Sequence, residues 1–258
     1  MAGGISSRRI LICNDDGISA EGIRVLEKAA RGLSDDVWVV APAFEQSGAG
    51  HSFTTHRPLT AHRVSERHYT VDGTPTDCVL YACRALLKDH KPDLVLSGIN
   101  QGANLGLDVT YSGTVGAAME GTLQGVRSMA LSLYGAKSPA DTPYWETAAR
   151  YAPEVIGRLA EMEWAPDTLM NVNFPAVPPE KVSGIEIPCL SRRKIGDELT
   201  INSLPDGKTS FWIGYARTED PSVKGTDLEA VLRGAVTITP ITLDLTACTM
   251  VSELKRCF

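Results

Sequence analysis

Apolar positions along this chain fall into two arrangements. Short apolar runs end in turn-forming residues: RILICN at 9–14, DVWVVAP at 36–42, HYTVDG at 68–73, PDLVLSGIN at 92–100, SMALSLY at 128–134 and LMNVNFP at 169–175. Between them, apolar residues recur every three or four positions, at 20–33, from Pro75 to about Lys88, at 114–125 and at 142–162. Short apolar runs bounded by polar turns predict buried strands, and the longer recurrence predicts helices. Pro75 opens a helix, where its missing N–H costs nothing. Pro153, inside the last of the four, predicts a kink or a restart.

Strands that alternate with helices imply an α/β fold, a mostly parallel sheet with helices on both faces. In such sheets the ligand-binding loops leave the carboxyl ends of the strands. After residue 175 the alternation weakens. Strands at 184–190, a pair within 198–217 joined by Leu204-Pro205-Asp206-Gly207, a short helix at 226–234 and a strand at 235–240 predict a strand-rich C-terminal arm. The expected division is a core over 1–175 and an arm or subdomain over 176–258 for oligomerisation, with its 226–241 segment a candidate to pack on the core. No internal repeat divides the chain.

Composition changes this picture mainly by exclusion. A formal net charge of -6 and a pI of about 5.4 disfavour a duplex nucleic acid as partner. No apolar run approaches the ~20 residues of a membrane helix. The opening MAGGISSRR lacks the apolar core of a signal peptide and reads as a short disordered start. The six cysteines make no C-x-x-C pair and no zinc-like cluster, so they read as buried free thiols of a reducing compartment. A cytoplasmic protein is expected.

Three strand-end loops carry the candidate chemistry. In LICNDDG a strand ends in two adjacent carboxylates. Asp15 and Asp16 would face opposite ways in a regular strand, but Gly17 accepts the angles that turn both above the sheet edge. Such a pair takes up a proton or holds a cation; the alternative is an Asx turn and cap for the next helix. The loop APAFEQSGAGHSFT, 41–54, adds hydroxyls at Ser47, Ser52 and Thr54; alone it reads as a surface loop. The glycine-rich stretch 97–121 carries Asn100, Asn104, Ser112 and Thr114. It ends at a helix N-terminus, Ser112-Gly113-Thr114, where N–H groups favour phosphate; a capped helix packed closely through Gly and Ala is compatible with that. If the loops converge, they offer two carboxylates, a hydroxyl and a carboxamide oxygen. This is a hard donor set for Mg²⁺ or Mn²⁺, with Ca²⁺ also accommodated, and it is unlike a zinc site.

The stretches ILICNDDGISAEGI, VVAPAFEQSGAGHSFT, VDGTPTDCV, PDLVLSGINQGANLGLDVTYSGTVGAAMEG and TDLEAVLRGAVTITPI together resemble the SurE family, stationary-phase survival proteins that act as metal-dependent 5′-nucleotidases. The resemblance implies a Rossmann-like core and release of phosphate from nucleoside 5′-monophosphates. It implies a divalent metal on Asp15, Asp16, Ser47 and Asn100, and a phosphate site lined by Tyr111, Ser112, Gly113 and Thr114. The expected mechanism adds Asn100 to the phosphate contacts and gives Asp15, Asp16 and Asn100 catalytic roles. Hydrolysis of 3′-nucleotides and polyphosphate stays open. The family forms dimers or tetramers that exchange C-terminal elements. The aromatic hairpin with Phe211, Trp212 and Tyr215, and the 246–258 tail, are therefore expected to cross between subunits. Glu21 stands where many relatives have Pro, at a helix start that tolerates negative charge. His51, at a position that varies, is either an exposed loop imidazole or a substrate contact. The alternatives are a non-catalytic nucleotide-binding module and a receiver-like signalling domain. The second needs an Asp after a central strand, where LVLSGIN ends in Asn, and a Lys after a later one, where Lys137 does follow.

Overall fold

The computed structural model describes residues 5–135, 143–196, 198–204, 207–214 and 217–258. Lys137, Pro205, Asp206 and Tyr215 lie outside the described residues. In chain order the elements are β1 (Ile10–Cys13), α1 (Glu21–Arg31), β2 (Val37–Pro42), β3 (Ala61–Ser65), β4 (His68–Val71), α2 (Pro75–Tyr81), β5 (Leu94–Gln101), α3 (Gly113–Leu123), β6 (Arg127–Leu133), α4 (Trp145–Glu161), β7 (Thr168–Phe174), β8 (Gly184–Glu186), β9 (Lys194–Ile195), β10 (Leu199–Ser203), β11 (Thr209–Ile213), β12 (Arg217–Thr218), α5 (Asp227–Leu232), β13 (Ala235–Thr242) and α6 (Cys248–Cys257).

Nine strands form one sheet in the order β3-β4-β2-β1-β5-β6-β7-β13-β8. Neighbours from β4 to β7 are parallel; β3 and β13 run against β4 and β7. The chain leaves β1 toward β2 on one side and later enters β5 on the other. The carboxyl ends of β1 and β5 therefore flank a topological switch point, the place where open α/β sheets bind ligands.

Strand alternation distributes β1 between two cores. Ile10 and Ile12 pack with Ile23 and Leu26 of α1 and Val155 and Ile156 of α4. Leu11 and Cys13 pack on the other face with Cys78 and Val79 of α2 and Ala117 of α3. All four β1 residues are fully buried, at roughly 1.5–3 kcal/mol for each large aliphatic side chain. This double cover holds the strand end, and the acids that follow it, in place.

The arm is built differently. Among the described residues β10 and β11 pair only with each other, and β9 pairs with β12. β13 lies within the main sheet between β7 and β8.

Several expectations need correction. Helix α4 continues through Pro153, so the proline does not start a second helix. The stripe of Ala148, Ala152, Val155, Ile156 and Leu159 is buried on both sides of the proline, and that packing outweighs a lost hydrogen bond. The helix expected to about Lys88 is α only to Tyr81 and then a π-helical turn over Ala82–Leu86. The expected disordered start is ordered from Ile5, with Arg9 Nε 2.7 Å from Asp36 Oδ2. Cys13, Cys78 and Cys83 are buried, but Cys189, Cys248 and Cys257 are exposed. Strand β3 had no apolar signal because it is a sheet edge with almost every residue exposed; charged side chains suit an edge strand. Among the described residues no helix is long and apolar enough to cross a membrane.

Candidate active site at the switch point

At the end of β1 the backbone turns at Gly17, whose φ is +92°. The Asn14 side-chain amide closes this turn by donating to the Gly17 carbonyl at 2.8 Å. The acids do not cap α1, whose N-cap is Ala20 with no side-chain hydrogen bond. Instead one carboxylate accepts from the first turn of α3 and the other from the last residue of β5. Thr114 Oγ donates to Asp15 Oδ1 at 2.5 Å, and the Gln101 backbone N–H donates to Asp16 Oδ2 at 3.2 Å. These contacts remove the local-cap alternative.

Close approach makes this possible. A Cβ on Gly113 would lie 2.9 Å from Asp15 Cβ, so glycine lets the start of α3 sit against the acid. Beyond Ser97, β5 breaks register with β6 and resumes at Asn100. A Cβ on Gly98 would come within 2.2 Å of the Leu131 carbonyl oxygen. Any other residue there would displace the strand that presents Asn100.

Asp15 is 4% exposed. Burial pushes its carboxyl above the ordinary value, against hydrogen bonds from Thr114 that pull it down. Asp16 is raised to about 7, first by burial and then by repulsion from Asp15. Glu45, also in the cleft, adds repulsion to both. The pair is thus high in energy when fully ionised and bare, and a proton or a cation relieves it.

The acids open into a cleft of ≈ 930 Å³ that Ser47, Asn100, Tyr111 and Ser112 also line. Asp15, Asp16, Ser47 and Asn100 are therefore brought to one space. Ser47 donates its hydroxyl to Glu45 Oε1 at 2.8 Å, which leaves the Ser47 oxygen lone pairs for a cation. Asn100 spends its amide nitrogen on the Gly102 carbonyl at 2.7 Å, which leaves its carboxamide oxygen. Among the described residues no three of His, Cys, Asp and Glu gather closely enough to hold a metal ion. An ion in this cleft rests on two carboxylates and neutral oxygens, a set of hard donors.

The expected phosphate residues divide. Ser112 lines the cleft and caps α3 by accepting from the Val115 N–H at 3.1 Å. Thr114 is fully buried with its hydroxyl turned to Asp15. Gly113 contributes its close approach to Asp15. His51 does not line the cleft: its Nε2 lies 3.2 Å from Glu120 Oε2 on α3, and that contact holds the Glu120 carboxyl below its ordinary value. Asn104 ties loop to sheet through Ser132 and Asn173.

Among the cleft residues that the reading from sequence missed are Glu45 and Lys194. Glu45 was detectable, since it precedes Ser47 by two positions in an extended loop. Lys194 was not, since nothing local says that β9 folds back over the switch point.

A sequence profile described as Survival protein SurE matches residues 10–197, which span every loop of this site. The chain belongs to the SurE family. It is similar to proteins named 5′-nucleotidase SurE from Paramagnetospirillum magneticum, 55% identical over 98% of this chain and 96% of that one, and from Rhodospirillum rubrum, 49% identical over 98% and 97%. Among solved structures it is similar to the SurE protein of Aquifex aeolicus, with a TM-score of 0.83 and 39% identity over 96% of this chain and 99% of that one. SurE membership and the switch-point geometry thus coincide on the same loops.

Proposed function

We propose that this SurE protein is a metal-dependent 5′-nucleotidase, a phosphomonoesterase that releases phosphate from nucleoside 5′-monophosphates. The observation that carries the reading is the buried Asp15–Asp16 pair, raised in pKa, facing an oxygen-lined cleft at the switch point of a chain whose relatives bear that name.

Asp15, Asp16, Ser47 and Asn100 would hold a divalent cation, with Mg²⁺ or Mn²⁺ favoured by the oxygen donors and Ca²⁺ also accommodated. When bound, such an ion supplies Lewis-acid polarisation of a phosphoryl oxygen and a lowered pKa for water. Residues of this chain do the rest. Asn100 and Ser112 orient the phosphoryl oxygens. Gly113 and Thr114 set the start of α3 against Asp15, so the helix end favours negative charge in the cleft. Asp16 is the more exposed acid of the pair, which suits it to orient water or accept its proton. Phosphate release from AMP and GMP, measured with and without added Mg²⁺ or Mn²⁺, tests the reading. No release with any divalent metal would sink it.

The same reading includes at least a dimer. Phe211 and Trp212 of the hairpin are 64% and 69% exposed, and α6 has no buried residue. An isolated two-stranded hairpin is marginal in water, so a second copy that covers these surfaces supports the arm.

A further inference from the structure

Helix α2 starts inside the stretch VDGTPTDCV at 71–79, none of which lines the cleft. The helix start is a reciprocal cap. The Thr74 hydroxyl accepts from the Asp77 N–H at 3.1 Å, and Asp77 Oδ2 accepts from the Thr74 N–H at 2.9 Å. Capping needs no more than these two bonds. Yet Asp77 Oδ1 also accepts from the Thr54 N–H at 2.9 Å, and Oδ2 from the Thr54 hydroxyl at 2.8 Å, 23 residues back along the chain. The Thr74 hydroxyl in turn donates to the Ser52 carbonyl at 2.7 Å. Asp77 is 3% exposed. A buried carboxylate is costly unless bonds such as these hold it, and capping alone gives no reason to bury it.

These bonds grip the loop after β2, the loop that carries Ser47. Its first half is fixed to both neighbouring site loops. The Gln46 N–H donates to the Asp15 carbonyl at 2.8 Å, and the Gly50 N–H donates to the Tyr111 carbonyl at 3.1 Å. Ser47 lies between these two anchors. A Cβ on Gly116 would lie 2.2 Å from the Gly50 carbonyl oxygen, so the loop rests directly on α3, where His51 meets Glu120. Beyond His51 the hold passes to α2, through Ser52 and Thr54.

We propose that Asp77 is a positioning residue for the metal site: through Thr54 and Thr74 it clamps the far end of the 46–54 loop and so holds Ser47 in the cleft with Asp15, Asp16 and Asn100. This rests on the reading of Ser47 as a metal ligand. A neutral hydroxyl adds to an ion's binding only when it is held in place, so a loosened loop acts like a lost donor. The charge of Asp77 matters as well as its shape. All its side-chain partners here are donors, and an Asn in its place would turn its amide NH₂ toward the N–H of either Thr54 or Thr74.

The test uses the full-length parent, Asp77→Asn, Ser47→Ala and the double variant. Thr54→Val and Thr54→Ser form a milder pair that leaves the cap of α2 intact. Calorimetry reads Mn²⁺ affinity, and hydrogen exchange reads single amides. Asp77→Asn should weaken Mn²⁺ binding by roughly three- to tenfold. In the Ser47→Ala background it should add less than about a twofold loss, because residues that act through one another are not additive. Thr54→Val should lose less affinity in the same pattern, and Thr54→Ser should restore it. The Gln46 and Gly50 amides should exchange roughly threefold faster or more in Asp77→Asn. Equal losses with and without Ser47 overturn the inference, as do Gln46 and Gly50 amides that exchange at the parent's rates. If Asp77→Asn does not fold, Thr54→Val takes its place in the same cycle with the same criteria. If Ser47→Ala itself binds Mn²⁺ like the parent, the ligand reading fails instead, and exchange at Gln46 and Gly50 decides whether Asp77 holds the loop.

Discussion

Strands β1 and β11 are both rich in large apolar side chains, and they meet opposite fates. Every residue of β1 is buried, because α1 and α4 cover one face of the sheet and α2 and α3 the other. In β11, Phe211, Trp212 and Ile213 all stand exposed, because its only strand neighbour among the described residues is β10. The β1 end is a rigid mount that can hold two repelling carboxylates. The hairpin leaves its apolar side chains uncovered in the single chain, and on that surface the proposed dimer rests. Yet the two regions meet, since Ile213 and Gly214 share the cleft with Asp15 and Asp16. A site mounted on the rigid half is walled by the half that leaves its apolar side chains uncovered.

The largest expected effect strikes the mount. Asp15→Asn and Asp16→Asn keep shape and remove one charge each. Either should weaken Mn²⁺ binding in calorimetry and lower nucleotidase turnover by roughly two orders of magnitude or more, since the ion supplies several kcal/mol of charge stabilisation at about 1.36 kcal/mol per factor of ten. In chelator the same variants should melt at or above the parent's temperature, because a repulsion is relieved. Activity and Mn²⁺ affinity equal to the parent's would leave the buried pair without a cation to hold.

On the arm side, Phe211→Ser combined with Trp212→Ser should dissociate the assembly. Burying each aromatic contributes roughly 1.5–3 kcal/mol, so the pair is worth about a hundredfold or more in dissociation constant. Light scattering against concentration reads this directly. A double variant as oligomeric as the parent would place the interface elsewhere.

A pH titration of metal-free protein sharpens the contrast. The folded-state pKa of Asp16 is raised from 3.8 to about 7, so between those values the folded state holds more protons than the unfolded one. The stability slope with pH is therefore negative there. The contribution is fully present below pH ~4 and is lost as pH rises through about 7, a change of a few kcal/mol at 1.36 per pKa unit. Denaturant melts in chelator should show a larger fall in the parent than in Asp16→Asn, where Asp15, raised by burial, still contributes. A flat profile in the parent would mean that the pair is not crowded. No comparable slope is expected from changes in the hairpin.

The same contrast explains what was legible in the sequence. Buried strands announce themselves by composition, so the order of elements through β7 and the three convergent loops could be read before any coordinates. Edge strand β3 could not, because its residues answer to solvent. Pro153 misled because packing on both sides of it outweighs its local preference. At the site, the acids just beyond β1, Ser47 in the loop after β2 and Asn100 near the end of β5 line one cleft, a convergence that strand-end positions could suggest, while the ligand roles came from the family resemblance. The Thr114 hydroxyl is spent on Asp15, a pairing across 99 residues that no local pattern encodes. Lys194 was hidden for the same reason, since its position depends on how β9 folds back.

The smallest effect is expected at Ser47. Its hydroxyl donates to Glu45, and this contact turns the oxygen lone pairs elsewhere, as a supported ligand requires. Ser47→Ala removes one neutral donor and leaves both carboxylates. The ion should bind about tenfold more weakly, and AMP hydrolysis should recover at high Mn²⁺, because the carboxylates still carry most of the attraction. Glu45→Gln separates the orienting contact from the donor itself: a carboxamide oxygen can still accept from Ser47, so Mn²⁺ affinity should fall less than in Ser47→Ala. If Ser47→Ala matches the parent at every Mn²⁺ concentration, the serine is part of the cleft wall and no ligand. If Glu45→Gln instead loses as much affinity as Asp16→Asn, the third carboxylate is itself a principal source of the attraction, and the two-carboxylate account of the mount fails.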